Sequence, residues 1–81
     1  MSFRELDTVV LECDLPESGL RKGDIGTVVE VYGDAAVEVE FVRPSGQTQA
    51  LLRLAVADVR AVSDDDVLTV RAGTDPKAGA R

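Results

Sequence analysis

Few residues in this chain are equipped for chemistry. It contains no histidine, so the side chain most used as a general base near neutral pH is missing. The single thiol, Cys13, ends the β-branched run "LDTVVLEC" with no imidazole to activate it, and reads as a small apolar group. Ser18, Ser45 and Ser63 all fall in turn-rich stretches with no base beside them. The run "SDDD", Ser63 to Asp66, offers carboxylates to a hard cation, but calcium loops alternate their ligands along a defined turn and close with a Glu. Consecutive aspartates splay apart and stay solvated. No C-x-x-C or H-x-x-x-H spacing occurs. The Gly-x-x-Gly of "KGDIG" has the composition of a phosphate loop, yet such loops open a helix whose N–H groups bind the anion. Here Gly23 and Gly26 open a valine-rich run, so they read as bend residues. The expectation is a protein that is not an enzyme, with no metal and no cofactor.

The elements that carry these residues are strands. "LDTVVLEC" (Leu6 to Cys13) and "IGTVVEVY" (Ile25 to Tyr32) are rich in β-branched residues. Between them "DLPESGLRKGD" (Asp14 to Asp24) is a loop with one Pro, two Gly and five charges. Gly33 to Ala35 form a tight turn. In "AVEVEFVR" (Ala36 to Arg43), Val37, Val39 and Phe41 take one face, and Glu38 and Glu40 the other. "PSGQ" (Pro44 to Gln47) turns the chain into "TQALLRL" (Thr48 to Leu54), where Ala50, Leu52 and Leu54 oppose Gln49, Leu51 and Arg53. "AVAD" (Ala55 to Asp58) suits one 3₁₀ turn, and "VRAV" (Val59 to Val62) a short last strand. The pattern predicts an all-β fold, a small five-stranded SH3-like barrel over residues 1–62. Closure buries the apolar face and pairs the edges, and glycine permits the sharp bends. An open antiparallel sheet carries the same alternation. Residues 63–81 read as an acidic linker, with "VLTVRA" (Val67 to Ala72) able to add a strand, and a small, polar, mobile tail from Gly73.

The chain has 81 residues, enough for a single domain. No apolar run approaches the roughly 20 residues of a membrane span, no signal-peptide layout opens it, and one cysteine suits a reducing compartment. The expectation is a cytoplasmic protein with no membrane contact. Its formal charge is −6, with the basic residues dispersed apart from the Arg21–Lys22 pair. Nucleic acid and anionic membrane are disfavoured by that charge, and a protein with a basic surface is favoured.

Particular stretches carry a resemblance. "DTVVLECDLPESGLRKGDIGTVVEVY", "VEVEFV", "GQTQALLRL" and "ADVRAV" resemble an uncharacterised bacterial family of very short SH3-like proteins, over roughly Leu6 to Val62. That resemblance implies a fold and no activity. "KGDIGTVVEVYGDAAVEVEF" is similar to the SH3-like barrel of the nitrile hydratase β subunit and to the KOW element of ribosomal and transcription-elongation proteins. These imply, respectively, a subunit that packs on an enzyme and an RNA binder.

Tyr32, Phe3 and Phe41 are the only aromatic residues, too few for a proline-helix groove. RNA binding needs basic and aromatic residues together, where Glu30, Glu38 and Glu40 stand instead. Protein binding remains. Its carriers are the loop residues Leu15, Pro16, Glu17 and Leu20, with Tyr32, Leu51 and the acidic Glu38 and Glu40. Against this, Leu15 and Leu20 can fold back to cap the barrel. The chain is expected to be a small protein-binding module, antitoxin- or immunity-like or an accessory subunit of an enzyme, and a monomer or weak homodimer. A KOW-like, RNA-associated barrel is the alternative.

Overall fold

The computed structural model describes residues 2–73. Five strands form one antiparallel sheet: β1 (Thr8–Leu11), β2 (Ile25–Tyr32), β3 (Ala36–Val42), β4 (Thr48–Ala55) and β5 (Val59–Ala61). Their order is β4-β3-β2-β1-β5. Two 3₁₀ turns interrupt the connections, at Pro16–Ser18 in the first loop and at Val56–Asp58 before β5. The all-β class, the five strands and the turn before the last one are as the sequence predicts.

The sheet is not closed into a full barrel. β4 and β5 are the two edges of the sheet and do not pair with each other. The sheet is nonetheless strongly curled, because the connection between its edges is so short. Only Val56–Asp58 separate β4 from β5. Four residue steps reach at most about 14 Å, whereas four strand spacings in a flat sheet span about 19 Å. The last turn therefore draws one corner of the sheet shut while the edges stay apart.

The core fills the inside of this curl. Val9 and Leu11 of β1, Val28 of β2, and Val37, Val39 and Phe41 of β3 are buried there, joined by Leu54 and Val59. Two bulges keep the phase. On β2, Val28 pairs with Val39 and Glu30 with Glu38, so Val29 is an inserted residue, and Val31 comes into register with Val37. On β4 the shift falls between the Phe41–Ala50 and Val42–Thr48 pairs, which makes Gln49 the extra residue.

The two glycines that introduce β2 act differently. Gly23 has φ +98°, a backbone shape that side chains resist, with open space around it. Gly26 lies in the strand, where an added Cβ would meet Val39 Cγ1 at 2.5 Å and Phe41 Cε1 at 2.9 Å. One glycine turns the chain; the other makes room for the core.

Phe3 is buried in the core ahead of the first strand, and β1 is shorter than Leu6 to Cys13 because Leu6 takes φ +73° in a turn. Val67 to Ala72 form no strand. The mobile tail expected from Gly73 lies, beyond that residue, outside the described residues.

Candidate protein-docking surfaces

The first loop closes upon itself. Leu15 and Leu20 form an isolated antiparallel bridge, with N–H to carbonyl bonds of 3.0 Å and 3.1 Å. Leu20 is buried within the core and Leu15 is half-buried against it. Of the two readings, the loop is seen folded back, with Leu20 4% exposed. Pro16 and Glu17 stand exposed on the 3₁₀ turn between them. Gln49 Nε2 donates to the Ser18 carbonyl at 3.1 Å, tying the loop to β4.

The remaining residues singled out from the sequence come together on the outer face of β2, β3 and β4. Tyr32 donates its hydroxyl to Glu38 at 3.1 Å, and the Arg53 guanidinium lies over the Tyr32 ring, 4.1 Å from its centre. The hydrogen bond to Glu38 raises the Tyr32 pKa, helped by partial burial and by the nearby Glu38 and Glu30 charges. Glu38 is flanked by Glu30 on one side and Arg53 on the other. Glu40 accepts a 2.7 Å bond from the Thr48 hydroxyl, and Leu51, its neighbour in register, is 54% exposed. The expected acidic stripe is thus a tyrosine–glutamate–arginine cluster with an exposed leucine beside it.

A second surface was not legible in the sequence. A groove of about 650 Å³ lies between the first loop, the end of the β3–β4 hairpin and residues 69–73. Exposed Ile25 and Val42 contribute apolar walls, with buried Leu20 and Phe41 behind them. Lys22, Arg43 and Arg71 line the same groove, against a single carboxylate among the described residues, Asp24. Arg43 is oriented by a 2.7 Å bond from its Nε to Gln49.

Asp24 is spoken for. Arg71 Nε donates to one carboxylate oxygen at 2.9 Å and Nη2 to the other, while Nη2 also reaches the Gly19 carbonyl at 3.2 Å. Burial pushes the Asp24 carboxyl up, but the bonds from Arg71 and from the Arg21 backbone outweigh it and hold the group below its ordinary value. At the other end of the same segment, Arg60 grips Asp66 with two bonds of 2.8 Å and 2.9 Å. The Ser63 N–H adds a third at 2.6 Å. Arg60 and then Ser63 lower the Asp66 pKa to about 2. "SDDD" is therefore a turn whose last member is an anchor, while Asp64 and Asp65 face solvent. The Ser-x-x-Asp spacing of Ser63 and Asp66 was the available signal.

These two clamps define a strap. Arg60 sits on β5, and Asp24 directly precedes β2, so the chain from Asp66 to Arg71 crosses the outer side of β1. Val10 points that way, away from the core cluster, and yet is buried.

Residues 5–61 match the family model described as Domain of unknown function (DUF4926). The chain belongs to that family. The DUF4926 match takes in all five strands and ends with β5, so the strap lies beyond it. Neither the curated proteins nor the solved structures yielded a match. Cys13 is half-buried beside the core of the DUF4926 fold. Desolvation, followed by the Asp58 and Asp14 charges, raises its pKa and disfavours the thiolate. Among the described residues, no three His, Cys, Asp or Glu side chains gather as a metal would require, and no helix is long and apolar enough to cross a membrane.

Proposed function

We propose that the protein is a small docking module that captures a segment of another protein in the groove beside Lys22, and that its curled sheet is an SH3-like barrel left open between β4 and β5. One observation carries the reading. In a chain of formal charge −6, three exposed aliphatic side chains, Ile25, Val42 and Val70, line one groove with Lys22 and Arg43, and its only carboxylate among the described residues, Asp24, is already paired with the third cation, Arg71. The chemistry that fits is a short segment joining an apolar side chain to one or more carboxylates. Apolar contact would supply affinity, and the cations would supply register and a faster encounter. The partner is accordingly acidic at the point of contact, whereas the sequence pointed to a basic surface meeting Glu38 and Glu40. Antitoxin-like, immunity-like and accessory-subunit roles are all versions of such docking.

A displayed peptide library selected on the purified protein tests this. Peptides combining aliphatic and acidic residues should enrich, and Lys22→Glu or Val42→Ser should weaken the best of them by about tenfold, or about 1.4 kcal/mol. No enrichment, or peptides indifferent to both substitutions, would overturn it. So would binding of single-stranded RNA that falls steeply with salt, which would move the assignment to the RNA-associated alternative.

A further inference from the structure

The two edges of the sheet are treated unequally. β5 is only three residues long, and its Arg60 is engaged by both Glu12, at 3.4 Å, and Asp66. Short length and a charged, occupied side chain are ordinary means of blunting an edge. β4 is eight residues long, "TQALLRLA", with no proline and one charge, Arg53, and its bulge at Gln49 falls near its start, which leaves Ala50 to Ala55 in regular register. That charge is turned inboard over Tyr32, so it does not guard the open side.

The direction of the backbone groups along β4 follows from one bond. Val56 N–H donates to the Ala35 carbonyl at 2.9 Å, continuing the β3–β4 ladder. Alternation from that point directs the N–H and C=O groups of Leu54, Leu52 and Ala50 to β3, and those of Arg53 and Leu51 to the open side. No backbone bond to Leu51 or Arg53 from another loop occurs among the described residues. Leu51 also carries the exposed apolar side chain of this strand.

We propose that β4 pairs with β4 of a second copy of this chain, antiparallel about a two-fold axis at Leu51, to make a continuous ten-stranded sheet. The side chains choose this register. Centred on Leu51, the two leucines meet across the axis, and each Arg53 falls level with the bulge of the other copy, where the residue, Gln49, is neutral. The two Arg53 residues are then about 14 Å apart along the strands, beyond the Debye length of about 8 Å at physiological salt. Centred on Arg53, the cations would face each other. Centred on Leu52, each leucine at 51 would face an arginine. The Leu51 register also places two hydrogen-bonding residues opposite one another, which lets them exchange both N–H to carbonyl bonds. This pairing does not rest on what the groove binds, although Gln49 borders both.

The test combines mass with register. Sedimentation equilibrium of the full chain should show a mass rising toward twice that of one chain with concentration, and Leu51→Lys, at an exposed site, should return it to one. Leu51→Cys in a Cys13→Ser background should cross-link to dimer on oxidation. Paired Cα atoms at about 5.5 Å fall within the reach of a disulfide, about 4.4–6.8 Å. Ala55→Cys should not cross-link, since its two copies would lie about 27 Å apart. A monomer at every concentration overturns the proposal. A dimer that ignores Leu51→Lys, or one that cross-links equally through Ala55→Cys, overturns it as well.

Discussion

On the inner side of the sheet, Val9, Leu11, Val28, Val37 and Val39 are essentially inaccessible to water. On the outer side, the strap leaves Val67, Leu68 and Val70 69–96% exposed and is fastened by Arg60–Asp66 and Arg71–Asp24. The same residue types thus do opposite things in two parts of one small molecule. Valines in strands that find a neighbour are buried and pay for the ordering of the backbone. Valines in the strap find no ladder, so charge pairs must do the holding, and charge pairs near water are weak. The body should therefore unfold as a unit, while the strap opens locally at far lower cost.

Damage to the inner side should have the largest effect. Leu11→Ala removes a fully buried side chain and should cost about 2–5 kcal/mol in denaturant unfolding. Next comes Gly26→Ala. Its new methyl group would collide with Val39 and Phe41 across the sheet, and overpacking of this kind costs about 1–3 kcal/mol. Gly23→Ala meets no atoms but must hold φ +98°, and should cost about 1 kcal/mol. If Gly26→Ala proved milder than Gly23→Ala, the assignment of one glycine to space and the other to backbone shape would fall.

The strap should respond on a smaller scale. Arg71→Ala removes the clamp on Asp24 and the bond to the Gly19 carbonyl, and should change global stability by about 1 kcal/mol or less. Its main signature should be faster amide exchange from residues 67–72, with β1 to β5 unchanged. Equal acceleration in the strands would mean that strap and sheet form one cooperative unit, and the contrast between them would disappear.

How far each region could be read from sequence follows the same division. Ile25–Tyr32 and the Val56–Asp58 turn were legible because alternation and turn residues are local signals. The inserted residues Val29 and Gln49 were not, since a bulge changes register without changing composition. Curling was legible, but closure was not, because alternation along a strand says nothing about whether two distant edges meet. Val67 to Ala72 has strand composition and no strand partner, which shows propensity yielding to context. The Arg71–Asp24 clamp joins residues 47 positions apart, and no local pattern announces it. The groove that rests on this clamp was hidden for the same reason, as its cations come from three separate stretches of chain.

Acid should separate the two regions with the gentlest perturbation. The folded-state pKa of Asp66 is lowered to about 2, below the ordinary aspartate value of about 3.9. A depressed carboxylate contributes stability that is complete above the unfolded value and is lost as pH falls through the folded one. The Arg60–Asp66 clamp should therefore hold unchanged from neutral pH to about 4 and weaken between about 4 and 2. Asp24, also lowered, moves with the same sign. The core cluster contains no ionisable side chain, so it offers no titration of its own in this window. Acid titration followed by NMR should show the Ser63 amide, which donates to Asp66, shifting before the amides of Val28 or Val39. Asp66→Asn should abolish the Ser63 transition while leaving the valine amides where they were. Simultaneous movement of all three amides would show that the strap's charge pairs and the sheet's packing are a single structure rather than two.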